Sequence, residues 1–233
     1  TKYIHNTCFE LLIFLVFFAG ALVTFFAVFL ERLYANWIHG SPSGSSVFSG
    51  AGTAELIMLL VGLAVIEELL KFGATYITIR KNPAFDEAID AMIYTIVAGL
   101  GFATAENILF AMGEIRQGLT AGLIHTNVIG GAFETISLRF VGATLLHAVA
   151  SGLIGYAWAH GIAQKREGHF LAGGITCAII LHALFNYLII KYGSIQILYP
   201  SLILIIAGIL VLYDFEKIKG STRHAERVRE QTP

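Results

Sequence analysis

Six stretches of this chain are apolar for about 20 residues, the length an α-helix needs to cross the hydrocarbon core of a bilayer. They are residues 9–30, 55–79, 88–112, 138–161, 170–190 and 195–213. In lipid every backbone N–H and C=O must be satisfied within its own segment, so a run of this kind has one stable outcome, a helix. The predicted fold is all-α, a polytopic transmembrane bundle of about six helices. Charged residues make up 13 % of the 233 residues, about half the share of a soluble domain. A net charge of −1 argues against a nucleic-acid partner and leaves the lipid bilayer as the expected surroundings. The first run is too long for a signal-peptide core and lacks an A-x-A site, so it reads as a retained helix. With no internal repeat, residues 1–233 read as a single integral-membrane domain, with a core over 55–190 and a polar tail over 214–233 that is expected to fray. Cys8 and Cys177 read as buried thiols.

Lys and Arg in the short loops set orientation. Placing the N-terminus inside puts ten of them on the inner side and four on the outer, with Lys71 left within the second run. N-in, C-in is therefore expected. Two outer segments are not simple hairpins: residues 31–54 are rich in Gly and Ser, and residues 113–137 read as a surface-lying segment or a lid.

The second run contains AVIEELLKFGA, in which Glu67, Glu68 and Lys71 interrupt an oily sequence. Ionisable groups at such depth are costly, face the bundle interior and mark function. The interior set is Glu67, Glu68 and Lys71, then Glu106 with Asn107, then His147, then His182 with Asn186, on four consecutive spans. With a rise of about 1.5 Å per residue, Glu67 lies about 18 Å from the outer end of its span, Glu106 about 9 Å, His147 about 13 Å, His182 about 12 Å and Asn186 about 6 Å. All fall in one layer between the midplane and the outer surface. Lys71 is i+4 from Glu67 and i+3 from Glu68 and can pair with either, leaving the other carboxylate with a different proton affinity. Ser151, one turn from His147, is placed to orient its ring.

Two hydrolytic chemistries fit such a cavity. In one, His147, His182 and a glutamate hold Zn²⁺ while another glutamate takes a proton from water. In the other, glutamate activates water without a metal, and His and Asn stabilise an oxyanion. HExxH, GxSxG and an intramembrane Asp pair are all missing from the sequence. A proton-coupled transporter is the reading from another class, but it calls for internal repeats that the sequence lacks.

The ordered set resembles the PrsW family of intramembrane proteases, distant relatives of the CAAX prenyl endopeptidase and its bacterial self-immunity kin. Glu67-Glu68-Leu-Leu-Lys71 is similar to the family's Glu-Glu-x-x-Lys. The stretch FDEAIDAMIYTIVAGLGFATAENILF is similar to its second block, with Phe85, Asp86, Glu87, Asp90, Tyr94, Gly101, Phe102, Glu106 and Asn107 at matching places. His147 is similar to the third motif, and His182-Ala-Leu-Phe-Asn186 to the fourth, His-x-x-x-Asn. The resemblance implies an endopeptidase of a prokaryotic plasma membrane that cuts a membrane-anchored protein, such as an anti-sigma factor, near the extracytoplasmic face. The CAAX relatives carry His where this chain has Glu106, which favours a Zn²⁺ site of His147, His182 and Glu106. The same resemblance casts Glu67 or Glu68 as general base, with Glu67 preferred, and Asn186 as oxyanion donor. A metal-free glutamate protease of the CAAX type is the alternative.

Overall fold

The computed structural model describes the backbone of residues 2–39, 52–120, 126–192 and 198–231, and the side chains of 9–38, 52–120, 137, 142–192 and 200–216. Six helices follow one another: α1 (Lys2–His39), α2 (Thr53–Ile79), α3 (Ala88–Thr120), α4 (Thr126–Gln164), α5 (Glu167–Tyr192) and α6 (Leu198–Gln231). There is no strand among the described residues. The described part of each predicted apolar run lies on one helix, and several helices run past the ends of their runs. The first continues from residue 30 to His39, and the expected outer segment 113–137 is taken up largely by the end of α3 and the start of α4. α6 likewise runs through the tail to Gln231. Extending a helix already formed adds a hydrogen bond for each residue fixed, so polar residues of fair propensity continue it. The Gly/Ser-rich residues 40–51 and the 121–125 stretch with His125 lie outside the described residues.

Large apolar side chains coat the outside of the bundle. Phe14, Phe18, Leu22, Phe25 and Phe29 on α1 and Ile205, Ile206, Ile209 and Leu212 on α6 are all more than half exposed or close to it. Lys71, Glu67, Glu68, His147 and His182 are buried. A soluble domain seldom shows so large an apolar surface, and a bilayer is the solvent that suits it. Among the described residues, α1, α3 and α5 are long and apolar enough to cross a membrane. α2 is of similar length and apolar, but carries Glu67, Glu68 and Lys71 at its centre. Cys177 faces outward on α5, contrary to the buried thiol expected, because it lies away from the α5 stripe of Gly174, Ala178 and His182.

α3 is the central helix, packed between α1 and α4, while α5 lies against α4 and α2. Small residues allow these close approaches. A Cβ on Gly99 would meet the His147 carbonyl oxygen at 2.8 Å, so the α3–α4 contact that carries His147 requires glycine there. Toward the end of α4, Trp158 stacks on Phe85 (centroids 5.2 Å) and packs edge-on against Phe72 of α2 (5.4 Å). The turn from α4 to α5 is tight. Lys165 adopts a left-handed φ of 54°, the Arg166 N–H donates to the Gly161 carbonyl (2.9 Å) and the Lys165 N–H to that of Ile162 (3.2 Å). This is a Schellman cap with lysine where glycine is usual.

Candidate active site

Four helices each bring a polar residue into the apolar interior. α2 supplies Glu67, Glu68 and Lys71, with relative exposures of 6 %, 0 % and 1 %. α3 supplies Glu106, whose side chain is 23 % exposed. α4 supplies His147 and α5 supplies His182, both buried. Burying this many charges is tolerable only where they are paired and hydrogen-bonded, and most of them are.

Lys71 Nζ lies 2.6 Å from Glu68 Oε1, 2.9 Å from His147 Nδ1 and 5.1 Å from the centre of the Phe102 ring. Of the two carboxylates open to it by spacing, Lys71 thus pairs with Glu68. The same Glu68 oxygen accepts from His182 Nδ1 at 2.6 Å. An ammonium only donates, so His147 Nδ1 is an acceptor and its Nε2–H donates to Glu106 Oε2 at 3.1 Å. His182, donating through Nδ1, keeps its lone pair on Nε2. A carboxylate therefore stands behind each imidazole, the arrangement that orients histidine ligands in metal centres.

Glu67 occupies the middle. Its Oε2 is 3.8 Å from His147 Nδ1 and 3.7 Å from His182 Nε2, and this buried oxygen has no hydrogen-bond partner. Of the two nitrogens facing it, His182 Nε2 carries a free lone pair, while the lone pair of His147 Nδ1 accepts from Lys71. Donor atoms of Glu67, His147 and His182 all lie within 4.8 Å of one another. Ligands about 2.1 Å from a tetrahedral ion stand about 3.4 Å apart, and the Glu67 oxygen, 3.8 and 3.7 Å from the two nitrogens, is within a few tenths of an ångström of that spacing. The buried, unpartnered oxygen and the His182 Nε2 lone pair fit a metal, and His147 Nδ1 would complete the set once the Lys71 ammonium moves off it.

Geometry thus groups Glu67 with the two imidazoles, whereas the sequence reading grouped Glu106 with them. Glu106 approaches His147 from the Nε2 side, opposite the nitrogen that faces Glu67. Asn186 is half-buried one turn along α5 from His182, outside the hydrogen-bonded network. Asn107 donates to Thr144 Oγ1 at 3.1 Å and ties α3 to α4 one turn from His147. Ser151 does not orient His147: its buried Oγ lacks a hydrogen-bond partner, and Lys71 and Glu106 hold the ring instead. In the second family block, Phe85 and Asp90 have structural work: Asp90 Oδ2 accepts from the Glu87 N–H (3.0 Å) and the Asp86 N–H (3.2 Å) at the start of α3. Sequence reading missed Glu31 of α1, which lies within Coulombic reach of Glu67, Glu106 and Lys71. The available signal was a carboxylate immediately after a long apolar run.

Fold and site together define a helical membrane protein with a hydrolase-type centre inside the bundle. The chain belongs to the PrsW family of intramembrane metalloproteases, whose sequence pattern matches residues 9–213. It is 24 % identical over 177 residues to a Geobacillus kaustophilus protein named Protease PrsW, covering 75 % of this chain and 65 % of that one. A Clostridioides difficile protein of the same name is 25 % identical over 228 residues, covering 95 % and 84 %. A third, from Oceanobacillus iheyensis, is 27 % identical over 165 residues, covering 69 % and 66 %. The chain thus spans about two thirds of the first and third of these relatives. No solved structure matches it.

Proposed function

We propose that this chain is a multi-pass plasma-membrane endopeptidase, oriented N-in and C-in, that hydrolyses a peptide bond of a membrane-anchored protein near the extracytoplasmic face. The substrate class is the anti-sigma-factor kind, cut within or beside its anchor. The observation that carries this reading is the buried Glu67–His147–His182 donor set, with an unpartnered carboxylate oxygen between two imidazoles. We assign Zn²⁺ as the ion held by these three residues. When bound, the ion acts as a Lewis acid toward a peptide carbonyl and makes water more acidic.

The remaining steps belong to side chains. Glu106, the partly exposed carboxylate, accepts a proton from the attacking water and delivers it to the leaving amine. Asn186 donates to the oxyanion that develops on the carbonyl oxygen. Glu68, held by Lys71 at 2.6 Å, fixes the His182 ring through Nδ1 and keeps its Nε2 facing inward. The ring of Phe102, 5.3 Å from that of His147, closes one apolar side of the site.

The test is purification in detergent, metal analysis, and cleavage of a single-pass substrate with and without a chelator. One divalent ion per chain is expected, with cleavage lost on chelation and restored by Zn²⁺. Cleavage that survives complete removal of metal would favour the metal-free glutamate mechanism. Proton flux in liposomes without cleavage would favour a transporter.

A further inference from the structure

The first apolar run, residues 9–30, holds a single hydroxyl, that of Thr24. Among the described residues, the hydrogen-bonded side chains of the centre come from α2, α3, α4 and α5, while α1 presents exposed phenylalanines on its outer face. Thr24 points the other way and is fully buried. Its Oγ1 donates to the Gly20 carbonyl of its own helix (3.1 Å) and to the Phe102 carbonyl of α3 (3.3 Å). The first contact is the ordinary way a helical threonine satisfies its proton. The second crosses between helices and lands one turn before Glu106.

In an α-helix the Phe102 carbonyl also accepts the N–H four residues on, that of Glu106. A carbonyl oxygen has two lone pairs, so it can serve both donors. The Thr24 hydroxyl therefore holds the turn of α3 that begins at Phe102 and ends at Glu106. Both ends of that turn meet His147. The Phe102 ring lies 5.3 Å from its imidazole, and Glu106 Oε2 lies 3.1 Å from its Nε2. The two backbones touch nearby: a Cβ on Gly20 would run into the Ala98 carbonyl, and one on Gly101 into the Phe17 carbonyl. Apolar packing of this kind has no preferred direction, whereas a hydrogen bond does. Thr24 thus adds a fixed direction at the turn that carries Glu106.

We propose that Thr24 is a positioning residue for the reaction: its bond to the Phe102 carbonyl holds the α3 turn that sets the Glu106 carboxylate and the Phe102 ring against His147. This rests on Glu106 as the group that moves the proton. Hydroxyl bonds between membrane helices contribute little to stability, so the loss of this one acts on geometry more than on unfolding. A misplacement of about 1 Å caused far from the chemistry costs up to about 100-fold in rate, and a turn still packed at Gly20 and Gly101 should lose about ten-fold.

The experiment measures kcat and KM for a fluorescently tagged single-pass anti-sigma factor in mixed micelles, with thermal unfolding and hydrogen exchange of α3 followed in parallel. It compares wild type with Thr24→Val, Thr24→Ser, Glu106→Gln and the control Thr104→Val, whose exposed hydroxyl donates only within α3, to the Leu100 carbonyl. Thr24→Val keeps the shape and loses the hydroxyl. Its kcat should fall about ten-fold at unchanged KM and melting temperature, with faster exchange around Glu106. Thr24→Ser should return kcat to near wild type, and Thr104→Val should behave as wild type. If Glu106→Gln is inactive and Thr24→Val turns over as wild type, the role of Thr24 is overturned and the role of Glu106 stands. If Glu106→Gln cuts as wild type, or wild type does not cut, both are overturned. If Thr24→Val loses activity only together with a fall in melting temperature that Thr24→Ser shares, Thr24 is a packing residue and the proposal fails.

Discussion

Two single substitutions separate the ligand from the base. In Glu67→Gln, the carboxylate 3.7 and 3.8 Å from the two imidazoles becomes a neutral amide of the same shape. One of three donors loses its charge, so Zn²⁺ affinity should fall more than 100-fold, about 3 kcal/mol or more. Glu106→Gln is different. Its amide oxygen can still accept from His147 Nε2, now at 3.1 Å, so the ring stays oriented and the ion site intact. What disappears is the capacity to take a proton. Loss of a general base lowers turnover by about 10²- to 10⁴-fold, about 3 to 5 kcal/mol in the barrier. The assay pairs Zn²⁺ content per chain with single-turnover cleavage of a single-pass substrate. Glu67→Gln should be metal-poor and inactive at low Zn²⁺, whereas Glu106→Gln should be metal-replete and inactive. A Glu67→Gln protein that keeps one tightly held ion, or a Glu106→Gln protein that cuts at the wild-type rate, would refute the respective assignment.

Lys71→Met should destabilise the protein by about 3 kcal/mol, because it strips a fully buried Glu68 of its ion-pair partner while His182 still donates to it; denaturation in mixed micelles reads this. Ser151→Ala should leave cleavage unchanged and stability equal or slightly higher, by up to about 1 kcal/mol, since the lost hydroxyl is buried and unpaired. Lys165→Gly should raise stability by about 0.5 to 1 kcal/mol by relieving a left-handed lysine at the α4 cap, seen as a higher melting temperature.

Much of this arrangement is legible in the chain because lipid narrows the options. Apolar length implies helices, and charge within apolar length implies an interior site; the side chains of Glu67, Glu68, Lys71, Glu106, His147 and His182 do meet. Details that depend on rotation about helix axes are not legible. Whether Lys71 takes Glu67 at i+4 or Glu68 at i+3 is decided by where α4 and α5 put their imidazoles. Glu106 and Glu67 look alike in sequence, yet they address opposite nitrogens of His147. Glu31 was hidden for another reason. The apolar pattern ends at residue 30 while the backbone helix does not, so Glu31 reads as loop.

The residues of the centre have a consequence for how the protein is made. Glu67, Glu106, His147 and His182 come from α2, α3, α4 and α5, one from each. On the proposed assignment, a ribosome delivering these helices in order releases nothing capable of hydrolysis until α5 has docked and His182 has met Glu68. A truncated or half-inserted chain would then be inert toward its neighbours, and activity itself would report completed assembly.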